Sequence, residues 1–136
     1  MILTNGGGAG IMATDAAEEL GLKLMDIPPD LAQKLRNHMP PFGSVFNPID
    51  LTGMASAESY YGALKDLLLD KRVHAVVVLY CHTAITNPLE IAESLLRAIK
   101  ASGVRKPVVA SFIGGEEVQE ACSKLTGGGC AVLREP

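Results

Sequence analysis

Residues 5–10 read NGGGAG, placing four glycines in six positions immediately before a run with helical periodicity. The chemistry this arrangement allows is anion binding. A helix N-terminus leaves its first amides without intrahelical partners and carries about half a positive charge. Glycines remove the Cβ atoms that would hold an anion away from those amides, and they permit positive φ. Asn5, Gly6, Gly7, Gly8, Ala9 and Gly10 therefore form a candidate nest for one phosphate or carboxylate. The alternative is a tight strand-to-helix turn whose small residues serve packing alone. Gly6, Gly8 and Gly10 are spaced two and two, so the dinucleotide fingerprint is not met, and Ile11–Met12 stand where a phosphate loop would carry Lys–Ser/Thr.

A second loop, CHTAITNP at residues 81–88, carries His82 and Thr83. A histidine there could donate a hydrogen bond, move a proton or accept a phosphoryl group; the alternative is an exposed loop histidine without a role. Cys81 has no basic neighbour in sequence to lower its pKa and reads as a small apolar residue at a strand end. Asp50 ends a strand and is a candidate for orienting the Asn5 loop by accepting amide hydrogens. Glu116 and Glu117 follow Gly114–Gly115 at a helix start, where carboxylates favour the dipole. No triad, carboxylate pair or metal-ligand spacing stands out, and no catalytic residue beyond the candidate His82 is assigned.

The elements that must position these loops follow from periodicity. Ile2–Thr4 reads as a short strand, and residues 8–20 as a helix with Ile11, Ala13, Ala16, Ala17 and Leu20 at helical spacing. Pro28 and Pro29 break the chain, Asp30 is placed to cap a small helix bearing Leu31, Leu35 and Met39, and residues 28–43 read as a surface excursion. A brief strand around NPIDL leads to a helix opened by Ser56. The β-branched run VHAVVVLY, residues 73–80, has the pattern of a strand buried on both faces. Asn87–Pro88 starts another helix and Gly103 closes it. Residues 107–113 form a second buried strand, residues 116–125 a helix, and Cys130–Leu133 a last strand. This alternation predicts an α/β, three-layer, flavodoxin-like doubly wound sheet of five parallel strands. The predicted order is 2-1-3-4-5, with both faces covered and ligands at the gap between strands 1 and 3.

The chain has 136 residues, 48% of them hydrophobic and 20% charged, which predicts one folded domain over residues 1–136. A net charge of −3, scattered Lys and Arg, and the absence of Trp argue against nucleic-acid binding. Three cysteines without CxxC spacing fit neither a disulfide framework nor a zinc site, and reduced thiols point to the cytoplasm. The longest apolar run, Ala75–Cys81, is too short to span a bilayer. The strand stub at the very start reads as a piece of a longer multi-domain polypeptide.

Three segments carry a resemblance: ILTNGGGAGIMATDAAEELGL, PPFGSVFNPIDLTGMASAESYYGAL and VHAVVVLY. In order and spacing they resemble the third domain of NDP-forming acyl-CoA synthetases, such as ADP-forming acetyl-CoA synthetase. More distantly they are similar to the carboxyl-terminal domain of the succinyl-CoA synthetase β subunit. The resemblance covers nearly the whole chain, and the pairing of TNGGGAG-x-MA-x-D with NP-[IV]-D is more specific than the glycines alone. It implies one domain of an acid–thiol ligase working through an acyl phosphate and a phosphohistidine, with the helix after Asn5–Gly10 aimed at the phosphohistidine phosphate. CoA-binding, phosphohistidine and ATP-grasp domains are the implied partners. ATP or ADP, Mg and CoA are implied for the full enzyme, and none for this domain alone. His82 departs from the family pattern: it follows a different strand from the phosphohistidine and lacks the Gly, so that role is not transferred to it. Two further readings stay open: an inert synthetase-like sensor region of a protein acetyltransferase, and a stand-alone module for a small phosphorylated ligand.

Overall fold

In the computed structural model, which describes residues 1–133, strand β1 (Ile2–Thr4) lies between two other strands of the sheet and is buried. It is followed by α1 (Gly7–Glu19), α2 (Pro29–Arg36), β2 (Ile49–Asp50), α3 (Ala57–Leu69) and β3 (Val76–Cys81). The chain continues through α4 (Pro88–Ser102), β4 (Val108–Ile113), a 3-10 turn (Gly115–Val118), α5 (Gln119–Gly127) and β5 (Ala131–Leu133). The five strands are parallel in the order β2-β1-β3-β4-β5. That is the predicted α/β sheet, with its order reversing between β1 and β3.

Local chemistry sets the boundaries. The Ser56 hydroxyl accepts from the Ser59 amide at 3.1 Å and starts α3. The Asn87 carboxamide accepts from Leu89 and Glu90, with Pro88 in the first turn of α4, and Gly103 ends that helix at φ 66°. Asp30 does not cap α2: the N-cap is Pro28, and Asp30 instead pairs with Arg72.

The layers are unequal. Helices α2, α3, α4 and α5 pack side by side on one face, over Val76, Val78 and Tyr80 of β3 and Ala110 and Phe112 of β4. Tyr60, Leu64, Leu67, Ile91 and Leu95 complete this core, in which burial of each large side chain stabilises by roughly 1.5–3 kcal/mol. The segment read as a surface excursion is anchored here, since Leu31 and Leu35 of α2 are fully buried against α3. His38 beyond α2 bonds Asp66 of α3 at 2.8 Å, and Gly62 leaves room for its ring. Among the described residues, α1 is the helix on the opposite face. There Val77 is 36% exposed and Leu133 55% exposed, although the sequence pattern predicts cover on both faces. Ile11 and Leu20, two of the predicted inner positions of α1, are exposed, while Gly10 and Ala17 are buried.

Candidate functional site

The carboxyl edge of the sheet at the β1/β3 gap is built from three loops: residues 5–7, 51–56 and 82–87. Thr4 and Asn5 are buried at the end of β1 and lock the first loop. The Thr4 hydroxyl accepts from the Gly6 amide at 3.0 Å and donates to the Gly6 carbonyl at 3.1 Å. Asn5, only 3% exposed, clamps the turn to β3: its Oδ1 accepts from the Cys81 amide at 2.7 Å and its Nδ2 donates to the Cys81 carbonyl at 2.9 Å. The side chain thus acts as an extra rung of ladder where β1 has ended, holding the turn in one place.

Beyond this clamp α1 begins with no side-chain cap and no carboxylate in its first turn. Its first intrahelical bond runs from the Gly10 amide to the Gly6 carbonyl at 3.1 Å, so the amides of Gly7, Gly8 and Ala9 lie ahead of the helical ladder. The glycines have separate reasons. A Cβ on Gly6 would stand 2.5 Å from Cys81 Sγ, and one on Gly10 would stand 3.1 Å from both Pro48 and Thr4. One on Gly7 would lie 3.1 Å from an Asp50 carboxylate oxygen, whereas one on Gly8 would meet nothing within 4 Å. None of the turn glycines has positive φ, in contrast to Gly21, Gly103, Gly115 and Gly129. The turn therefore uses glycine for close approach, with Gly8 as its open side, and the conformational freedom allowed for in the sequence is not used.

Asp50 sits beside the first residue of α1, but its Oδ1 accepts from the Thr52 amide at 2.8 Å and not from an amide of the Asn5 loop. That bond holds Thr52 at φ 74°, a left-handed conformation for a β-branched residue. The carboxylate lies on the Gly7 side of the helix end, and the Gly8 side is sterically open.

The second loop divides its residues between the two faces of the sheet. Cys81 points toward α1 and packs on Gly6; burial, then the Asp50 charge, pushes its thiol pKa up, so it is a neutral packing group. His82 points the other way. Its Nδ1 lies 3.1 Å from the Tyr80 hydroxyl, and its Cβ packs against Gly114, where a Cβ would be only 2.6 Å away. Tyr80 also bonds the Thr86 hydroxyl at 2.6 Å and packs edge-on to Tyr60 and tilted against Phe112; burial raises its pKa. Thr83 donates to the Gly53 carbonyl at 3.3 Å and meets the Thr86 hydroxyl at 3.1 Å, tying the loop after β3 to the loop after β2. Of the sequence candidates, the structure brings together Asn5–Gly10 and Asp50, joins Thr83 to the 51–56 loop, and sets His82 on the side away from α1. Thr4, Tyr80 and Thr86 were missed. A threonine directly before Asn–Gly is a recognisable turn signal, whereas Tyr80 and Thr86 become partners only through the fold.

The site can therefore present three backbone amides and a helix dipole to one anionic group. It offers no nucleophile with a lowered pKa. Among the described residues no group of three or more His, Cys, Asp or Glu is arranged to hold a metal ion. No helix among them is long and apolar enough to cross a membrane.

The profile of the Ligase-CoA domain family matches residues 1–133. The chain is 50% identical over its full length to the α subunit of acetate–CoA ligase [ADP-forming] I from Pyrococcus furiosus, of which it spans 29%. It is 35% identical over 135 residues to acetate–CoA ligase [ADP-forming] I of Archaeoglobus fulgidus, spanning 18% of that protein. Among solved structures, "dinucleotide forming" acetyl-coenzyme A synthetase 1 of Ca. Korarchaeum cryptofilum, in complex with phosphate and ADP, superposes with a TM-score of 0.95. The identity there is 43%, and the match covers all of this chain and 29% of that one. The chain thus spans less than a third of each of these relatives.

Proposed function

The chain belongs to the Ligase-CoA domain family, and from that premise we propose that it serves as the phosphoryl-stabilising domain of an ADP-forming acyl-CoA synthetase. The observation that carries the reading is the uncapped start of α1, clamped to β3 through Asn5 and sterically open at Gly8. In such an enzyme a phosphoryl group passes through acyl phosphate and phosphohistidine forms, with the histidine supplied by another domain. The Gly7, Gly8 and Ala9 amides point where that group's oxygens would lie, and the dipole of α1 offsets their charge. Because the Asn5 clamp and the Thr4 bonds pre-orient the amides, little reorganisation is needed as charge shifts during transfer. A donor set of this kind is worth on the order of 3 kcal/mol of transition-state stabilisation.

CoA, nucleotide and Mg belong in this reading to the other domains of the enzyme, where they supply the thiol, the phosphoryl group and its charge neutralisation. The residues of this chain bind and orient the phosphoryl group and move no proton. Thr83, donating to the Gly53 carbonyl, ties the 82–87 loop to the 51–56 loop.

The test is an amide-resolved NMR titration of the chain with inorganic phosphate against chloride at matched ionic strength. Saturable shifts confined to residues 6–11 are expected. Shifts spread evenly over the surface, or the same shifts with chloride, would remove the proposal.

A further inference from the structure

The first turn of α1 contains no carboxylate of its own, but β2 delivers one to it, Asp50. The Asp50 Oδ2 lies 3.1 Å from the point where a Cβ on Gly7 would stand. A Cα–Cβ bond tilts toward the N-terminus of its helix, the direction in which the first amides also point. Oδ2 therefore borders the mouth of the helix, where an anion on the Gly7, Gly8 and Ala9 amides would sit. Glycine at position 7 is what lets the carboxylate come this near.

The fold uses the other oxygen. Oδ1 accepts from the Thr52 amide at 2.8 Å. Among the described residues Oδ2 accepts no hydrogen bond and Asp50 forms no ion pair. The Thr52 hydroxyl, two residues on, is buried without a partner, so it does not satisfy Oδ2 either. Nor does Asp50 cap α1, whose N-cap makes no side-chain bond.

A nest of amides alone takes any small anion, because it only donates. A carboxylate at its mouth changes that. An anion without a proton meets a facing acceptor of like charge, which weakens binding. An anion that keeps a proton turns its O–H to Oδ2 and makes a charge-assisted hydrogen bond. Sulfate holds no proton near neutral pH. A phosphoryl group takes up its last proton at about pH 6, and a hydrogen bond to Oδ2 favours keeping it.

We infer that Asp50 is a specificity-determining residue of the α1 site, admitting phosphoryl groups that bear a proton and disfavouring fully ionised anions of the same size and shape. This selectivity rests on the phosphoryl-binding reading above and adds to it the ionisation state of the bound group.

The test compares inorganic phosphate, arsenate and sulfate in the amide-resolved titration of the 136-residue chain, with EDTA present. All are tetrahedral oxyanions of similar size, so the proton is what separates sulfate from the other two. At about pH 6, phosphate and arsenate are expected to bind at residues 6–11 at least about tenfold more tightly than sulfate. At about pH 8, where both have lost most of the proton, that preference should shrink at least about threefold. The Cys81 thiol of β3 and the Tyr60 hydroxyl of α3 feel the Asp50 charge, but both are pushed up, by burial first, and stay neutral throughout. Charge changes elsewhere in the chain act on all the anions alike and cancel in the ratio. Asp50→Asn keeps an acceptor for Thr52 and removes the charge. Phosphate then gains relief from repulsion but loses its bond to the carboxylate, whereas sulfate gains the relief in full. Against about a tenfold gain for phosphate, sulfate should gain at least about a hundredfold, and the preference should vanish. Equal saturable binding of sulfate and phosphate by the wild type would overturn the inference and leave the amide site standing, as would a preference unchanged at the higher pH or in Asp50→Asn. No saturable binding of any of these anions would overturn both.

Discussion

At the scale of single residues, the glycine turn separates into positions that serve the fold and one that serves access. Gly6 and Gly10 touch Cys81, Pro48 and Thr4, so a side chain there must displace packed neighbours. Gly6→Val is expected to lower unfolding free energy by about 1–3 kcal/mol in urea denaturation. Gly8 faces open space, so Gly8→Val should leave stability within about 0.5 kcal/mol and weaken phosphate binding at least about tenfold, about 1.4 kcal/mol. Unchanged binding by that variant would show that the amides are not the receptor. Asp50 supplies a second, opposite test. Asn at this position keeps an oxygen to accept from Thr52 but removes the charge beside the helix end. Asp50→Asn is therefore expected to tighten phosphate binding by about tenfold in the same titration, and weaker binding would contradict the electrostatic picture.

At the scale of elements, one ion-pair cluster fastens α2 to the end of α3. Arg72 donates to both Asp30 oxygens and both Asp70 oxygens, and Lys106 adds a bond to the Asp70 carbonyl. The Arg72 hydrogen bonds hold the pKa of the Asp70 carboxyl down at about 2, below the ordinary carboxylate range. Because the folded-state value lies below the unfolded one, the contribution is complete above about pH 4. It is lost as pH falls toward 2, where the unfolded chain takes up the proton first. Urea midpoints of the wild type should drop over that interval, and Asp70→Asn should flatten the drop while lowering the neutral-pH midpoint. An identical acid limb in the variant would place the titration elsewhere. The same cluster explains why Asp30 is no cap: its carboxylate is turned toward Arg72, 42 residues away, and a helix beginning at Pro29 needs no partner for an N–H it lacks.

At the scale of the whole molecule, the two faces of the sheet answer to different parts of the polypeptide. The α2–α5 face is complete within the described residues, and Leu35→Ala in its core should cost about 2–5 kcal/mol by urea denaturation. A loss under 1 kcal/mol would mean that α2 is peripheral after all. What was legible in the sequence was whatever depends on neighbours along the chain. Alternating strands and helices specify a parallel sheet with right-handed crossovers, and the glycine-rich start of α1 follows from the same local grammar, whereas the strand order 2-1-3-4-5 rests mostly on the resemblance to the synthetase family. Ser56, Asn87 and Gly103 announce helix ends because caps act within one turn. Only the tertiary structure decided which face of β3 each residue of the 81–83 loop would serve, since a strand reverses its side chains at every step and the sequence does not say which side holds α1. It turned Cys81 toward the glycines and His82 toward Tyr80, drew Leu31 and Leu35 into the core, and left Val77 open on a strand whose composition reads as buried on both sides. Composition records the environment a residue is suited to, but the partner that supplies this environment is a matter of contacts between distant segments.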